Sequence, residues 1–264
     1  IVYNTAFIWL PLATLTACFK MWVNYRREAY WAGMGTVILE VKLPKEIFKS
    51  PAAMEVILGA LHQTADEGNW YWKYWKGQTR SWFSLELISE GGNIRFFIWM
   101  RAKYKNSVES HLYSQYPGIE VYEIDDYTKD IYFDTNRQKV FGIQWELSEP
   151  DPLPIKTYVD YGLDKDPDEE FKVDPMATSL EFLSTVTAGH TIWIQIIIRA
   201  HKKDRRKPGT LFGKTDAWKD EAKKQVEEII EKLKTAKESG FPRIPTKGEA
   251  ERIASIERSV SKIG

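Results

Sequence analysis

SWFSLELISEGGNIRFFIWM, residues 81–100, alternates apolar and polar side chains on both sides of a glycine turn. Phe83, Leu85 and Leu87 share one face of the first run; Ile94, Phe96, Ile98 and Met100 share one face of the second. A period of two is what a strand with one buried face requires. Gly91 and Gly92, followed by Asn93, accept the positive backbone angles of a tight reversal. The stretch predicts a β-hairpin.

Working outward, TVILEVKL (36–43) repeats the alternation with Val37, Leu39, Val41 and Leu43. KSPAAMEVILGALH follows, with Ser50 as a helix N-cap, Pro51 at the first helical position and a stripe of Met54, Ile57, Leu58 and Leu61. Beyond the hairpin, a helix over roughly 103–115 leads to a strand at IEVYEI (119–124). The order β-α-β-β-α-β over residues 36–130 is the ferredoxin-like arrangement, and the expected class is α+β.

A second unit of the same kind is expected over 131–240. VFGIQWEL carries Phe141, Ile143, Trp145 and Leu147 in phase as a strand. VDPMATSLEFLSTV offers Asp174 as N-cap, Pro175 behind it, and Met176, Leu180 and Leu183 as a stripe. HTIWIQIIIRAH places Ile192, Ile194, Ile196 and Ile198 on one face, opposite Trp193, Gln195, Ile197 and Arg199. A long helix is expected from Thr215 to a C-cap at Gly240. Residues 241–264 open a C-terminal amphipathic helix with a Thr246–Glu249 capping box. Its narrow stripe of Ile253, Ile256, Val260 and Ile263 suits a partner helix. No closing strand is found, so this second unit is incomplete.

Residues 1–35 read as a transmembrane helix and its juxtamembrane segment. The run 1–19, which includes Phe7 and Trp9, has no charged side chain and as a helix is about 28 Å long, near the hydrocarbon thickness of a bilayer. Trp22, Tyr25, Tyr30 and Trp31 follow, with Lys20, Arg26 and Arg27, the mixture that a membrane–water boundary favours. The positive-inside rule then sets the bulk of the chain in the cytoplasm, at a bacterial cytoplasmic membrane. A buried core helix is the bland alternative.

NWYWKYWKGQ, residues 69–78, crowds Trp70, Tyr71, Trp72, Tyr74 and Trp75 around Lys73 and Lys76. Such a knot can pack against another protein surface, sit at a membrane interface or stack on nucleic-acid bases. Packing between units or protomers is favoured, then membrane contact, then base stacking. RAHKKDRRKPG (199–209) concentrates Lys202, Lys203, Arg205, Arg206 and Lys207. These suit a solvated or protein-facing loop first, anionic lipid head groups second and nucleic-acid phosphates third. The balance of 37 basic and 37 acidic residues gives no global basic field for nucleic acid.

No residue pattern points to a reaction. PGTLFGKTD has the Gly213, Lys214 and Thr215 of a phosphate-binding loop, but Pro208 stands where its first glycine is required. The acidic run at Asp164, Asp166 and Asp168 lacks an EF-hand's glycine at the sixth place and has Pro175 at the twelfth. His62, His111, His190 and His201 show no metal-ligand spacing, and the single Cys18 allows no intrachain disulfide. No enzyme activity, metal or cofactor is expected.

VILEVKLPKEIFKSPAAMEV, HLYSQYPGIEVYEIDDY, PDPLPIKTYVDYGLDKDP and IWIQIIIRAHK together resemble a membrane-anchored family of the candidate phyla radiation bacteria (Patescibacteria). Its members are described as domains of unknown function or, loosely, as conjugation or type IV secretion-related proteins. The resemblance implies N-terminal transmembrane segments, this soluble region, and a further strand past Gly264 that closes the second unit. It brings no catalytic residues.

The expected function is a non-enzymatic, membrane-anchored cytoplasmic scaffold that forms homo-oligomers within a secretion, conjugation or pilus-like envelope machine. Its expected partners are membrane lipid, further copies, and other machine subunits or an ATPase. The alternative is a membrane-tethered nucleic-acid-binding module working with a translocation ATPase.

Overall fold

A computed structural model describes residues 6–44, 51–62, 68–130, 134, 136, 138–148, 153, 155–163, 176–200, 205–206, 214–215, 217–238 and 246–262. It divides into two compact units, residues 1–132 with 163–201 and residues 133–162 with 202–264.

In the first unit the elements are α1 (Ala6–Ala32), β1 (Thr36–Lys42), α2 (Ala52–Ala60), α3 (Trp70–Tyr74), β2 (Trp82–Glu90), β3 (Asn93–Arg101), α4 (Lys105–Gln115), β4 (Glu120–Ile124), α5 (Ala177–Ser184) and β5 (Thr191–Arg199). The expected hairpin is β2–β3, closed by Gly91 at φ +55° and Gly92 at φ +85°. Gly92 is needed twice over, because a Cβ there would meet the Ser184 carbonyl oxygen at 2.6 Å. β1 lies between β3 and β4, and all pairings are antiparallel. The sheet order is β4-β1-β3-β2-β5.

The odd-numbered positions of β1 and β2 and the even ones of β3 face α2 and α4, as their alternation requires. Leu39, Phe83, Met100, Ile57 and Leu112 are fully buried there. The opposite face holds a smaller cluster of Ile38, Ile88 and Phe97, against which Trp99, Ile124 and Tyr127 pack. Glu40 on that face is ion-paired with Arg95 at 2.9 Å, and this hydrogen bond holds its carboxyl below the usual range. Tyr127 donates to Glu86, and burial, helped by that carboxylate, pushes the phenol up.

Two expectations need correction. The first is a separate second ferredoxin-like unit. β5 pairs with β2 along nine residues and becomes the fifth strand of the first sheet. Residues 140–147, expected to open the second unit, form no strand and have no strand pairing among the described residues. Phe141 and Trp145 there are 86% and 87% exposed. Alternation specifies which face of a strand is apolar but not which strand it joins, and that is how the misassignment arises. Asp174 and Pro175 lie outside the described residues.

The second correction concerns the transmembrane helix. Among the described residues no helix is long and apolar enough to cross a membrane. The described part of α1 passes beyond Phe19 into Lys20, Arg26, Arg27 and Glu28 within one continuous helix. Residues 1–5, which belong to the charge-free run, lie outside the described residues.

The second unit contains β6 (Arg205–Arg206), β7 (Lys214–Thr215), α6 (Ala217–Glu238) and α7 (Lys247–Lys262). The capping box forms: the Thr246 amide donates to Glu249 Oε2 at 2.9 Å, and the Glu249 amide donates to Thr246 Oγ1 at 3.3 Å. α6 and α7 pack together, and among their described side chains Ala222 and Ile256 are buried.

Candidate membrane-interface site

α1 has two parts. From Trp9 to Trp22 every residue is exposed, including Leu10, Leu12, Leu15, Phe19 and Met21. A helix that is apolar all round is ordinarily surrounded by protein or lipid, and among the described residues this stretch is left exposed, touched only at its end by Tyr74 on Phe19 and Trp75 on Trp22. Its hydroxyls are bonded within the helix, Thr14 Oγ1 to the carbonyls of Leu10 and Pro11 and Thr16 Oγ1 to that of Ala13. Such internal bonding suits an apolar surrounding, which offers no partners. From Val23, the first buried residue, the helix docks on the sheet unit.

The dock is built from aromatic rings. The Trp31 indole lies edge-on to Trp82 at 4.8 Å between centroids, and Trp82 stacks on Trp99 at 5.7 Å. Trp31 Nε1 also donates to Thr79 Oγ1 at 2.7 Å. The Arg101 guanidinium rests on both Trp82 and Trp99, 4.9 and 5.2 Å from their centroids. Arg101 is only 6% exposed, and desolvation lowers its pKa while the ring faces stabilise its charge.

Beside this dock the aromatic knot lands on α1. α3 opens with Asn69, whose side chain accepts from the Trp72 amide at 3.4 Å. Trp75 packs on Trp22 at 5.5 Å and Tyr74 on Phe19 at 5.7 Å. Arg26 Nε donates to the Trp75 carbonyl at 2.8 Å. Gly77, at φ +73°, lies so close to α1 that a Cβ there would overlap the carbonyl of Arg26. Only glycine fits that conformation and that gap.

The outcome is one aromatic collar around α1 where its bare part ends. Trp22, Tyr25 and Trp75 point outward in it, with Tyr71, Trp72 and Trp70, the last 70% exposed. Lys20 and Lys76 are exposed on the same segments, Lys73 lies 5.9 Å from the Tyr74 ring, and the Arg26 guanidinium lies 5.8 Å from the Trp22 ring. Arg27 Nε is buried with no hydrogen-bond partner among the described residues. Rings with one apolar side, interleaved with cations, are what a head-group layer accommodates.

Thus Trp22, Tyr25, Arg26, Trp31, Trp70, Tyr71, Trp72, Tyr74 and Trp75, singled out from sequence as two separate groups, belong to one unit and largely one surface. Trp9 lies on the bare part and Tyr30 is half-buried; the Phe7 side chain lies outside the described residues. Ile253, Ile256 and Val260 are in the other unit, with Ile256 buried inside it. Arg205 and Arg206 form β6, paired with β7, while Lys202, Lys203 and Lys207 lie outside the described residues. Sequence reasoning missed Gly77 and Arg101. The Lys-Gly-Gln that follows the aromatic run is the turn signal that could have revealed Gly77.

Among the described residues no three His, Cys, Asp or Glu side chains gather as a metal site. The fold and this surface define the molecule as a mixed α+β protein with a five-stranded antiparallel sheet and an exposed apolar helix at its base. No protein-family model, curated protein or solved structure matches the chain.

Proposed function

We propose that this protein is a membrane-anchored, non-enzymatic scaffold whose first unit is a ferredoxin-like module held against the bilayer by the collar. One observation carries the reading: the knot of α3 docks on α1 at Trp22, just where the uncovered apolar part of the helix ends. The bare stretch from Trp9 to Phe19 is about 16 Å long, close to the hydrocarbon depth of one leaflet. With that stretch in lipid, Trp70, Trp72 and Trp75 meet the head groups, and Lys20, Lys76 and Arg26 attract anionic lipid. The sheet unit then lies on the cytoplasmic side, whose leaflet carries the anionic lipids that such cations meet. The resemblance of its sequence blocks to the Patescibacteria family supports a role in an envelope machine of the secretion, conjugation or pilus kind, where copies of the chain would associate with each other and with an ATPase or further subunits.

The nucleic-acid alternative has less support. Ferredoxin-like readers stack bases on the open sheet face, and here that face carries the carboxylates of Glu40 and Glu86.

The reading is tested by partition onto vesicles containing anionic lipid. Replacing Trp70 and Trp72 together by alanine removes two rings worth about 1 kcal/mol each at the interface, a roughly 30-fold weaker partition. Both side chains are exposed, so the fold and its circular dichroism stay as they are. Undiminished partition of the double variant would remove the collar from the account.

A further inference from the structure

The sheet has two outer edges, and they differ in chemistry. β4 is a guarded edge. It carries Glu120 and Glu123, the latter ion-paired with Lys105, and Tyr122 lies under the Lys42 ammonium at 4.9 Å. β5 has no such guard. Its nine residues, TIWIQIIIR, contain no proline and pair with β2 without a bulge. Arg199, at the end of the strand, is their only charge. On the outer side β5 has no strand partner among the described residues, although Trp193, Ile194, Ile196 and Ile197 are all exposed. Soluble proteins protect long apolar edges with charge, proline or bulges, because an unguarded edge pairs with any matching strand.

We propose that the outer edge of β5 pairs antiparallel with β5 of a second copy, joining two five-stranded sheets into one of ten. The strand is self-complementary. A two-fold axis through Gln195, normal to the sheet, sets Trp193 opposite Ile197, Ile194 opposite Ile196 and Thr191 opposite Arg199. Every apolar side chain then meets an apolar one, and no like charges face each other, the arrangement that stabilises cross-strand pairs. The axis keeps the helix-covered face of both copies on the same side, so the isoleucine row runs on without a break. The same operation on β4 centred on Tyr122 would set Glu120 opposite Ile124 and Glu123 opposite Val121, each carboxylate against an apolar side chain. The interface is isologous and closes at two copies.

Its area is on the order of 1,000 Å², the lower limit for a specific interface. Anchoring both copies to one membrane raises their effective concentration and offsets the small area. In that respect the inference rests on the membrane reading, and the experiment keeps the two apart.

The test uses the full chain with Cys18→Ser, floated with vesicles before mild oxidation. Opposed residues of antiparallel strands have Cα atoms about 4.5–5.5 Å apart, within disulfide range. Gln195→Cys is expected to give a cross-linked dimer, and Glu123→Cys on the guarded edge to give monomer. Ile197→Lys puts an ammonium into the new seam at an exposed position; it should abolish the Gln195→Cys cross-link and leave flotation and circular dichroism unchanged. Floated protein that stays uncross-linked at Gln195→Cys, or cross-links equally at Glu123→Cys, overturns the proposal. If the chain does not float, the membrane reading fails on its own. The β5 pairing is then decided in detergent by light scattering, where a dimer that Ile197→Lys dissociates supports it and a monomer refutes it.

Discussion

Gly77→Ala is expected to release α3 from α1 while the sheet stays folded. The added methyl has no rotamer to escape into, since the group it would overlap is the main chain of α1 at Arg26. The residue also sits at φ +73°, where an L side chain costs about 1–2 kcal/mol before any overlap. Relief requires α3 to move away, which breaks the hydrogen bond from Arg26 to the Trp75 carbonyl and separates Trp22 from Trp75. The total cost should exceed about 2 kcal/mol. Hydrogen exchange reads this directly. The amides of Trp75, Lys76 and Gln78, bonded to carbonyls in α3, lose protection, whereas those of β2 and β3 keep it. Vesicle partition falls along with them. Unchanged protection at Gln78 would mean that the knot is not held by this contact.

Phe83→Ala should be the most destabilising single change in the sheet. Phe83 is fully buried under α4, its ring 5.3 Å from that of Tyr104, and it stands opposite Ile198 across the β2–β5 pairing. Truncation removes a large apolar side chain and leaves a cavity between rigid elements, a loss of about 3–5 kcal/mol. In a unit of this size that corresponds to a drop in melting temperature on the order of 10 °C. Chemical denaturation followed by circular dichroism measures it. Because Phe83 supports both the hairpin and β5, the two should melt together. A β5 that melts first, with β1–β4 intact, would mean it is an appendage and not a member of the sheet.

Much of the sheet was legible. Alternation in TVILEVKL, SWFSLELIS, IRFFIWM and IEVYEI, with the helical stripe at Met54–Leu61, gives β1, α2, β2, β3, α4 and β4 in the order that the first unit shows, without the short helix α3 that stands between α2 and β2. Hairpin and crossover rules act over short distances, so local pattern suffices. β5 was legible as a strand but not as a partner of β2, because that pairing joins residues more than a hundred positions apart and depends on which edge is left unguarded. VFGIQWEL has an equally clean period, yet its rings are bare. The collar divides in the same way. Composition marks the aromatics of residues 22–31 and the knot separately as attachment surfaces, but the bond from Arg26 to Trp75 crosses 49 positions. Nothing in the sequence announces it except a glycine placed where a close approach needs one.

The collar's depth in a bilayer is the most direct measure of the whole account. A nitroxide on Trp72→Cys, in the Cys18→Ser background, can be located in vesicles by its relative accessibility to oxygen and to a water-soluble relaxation agent. A label at the boundary between head groups and acyl chains, with a Leu15→Cys label deeper and a Tyr122→Cys label in water, is the predicted result. A Trp72 label as accessible to the aqueous agent as the one at Tyr122, in protein that is bound to the vesicles, would contradict it.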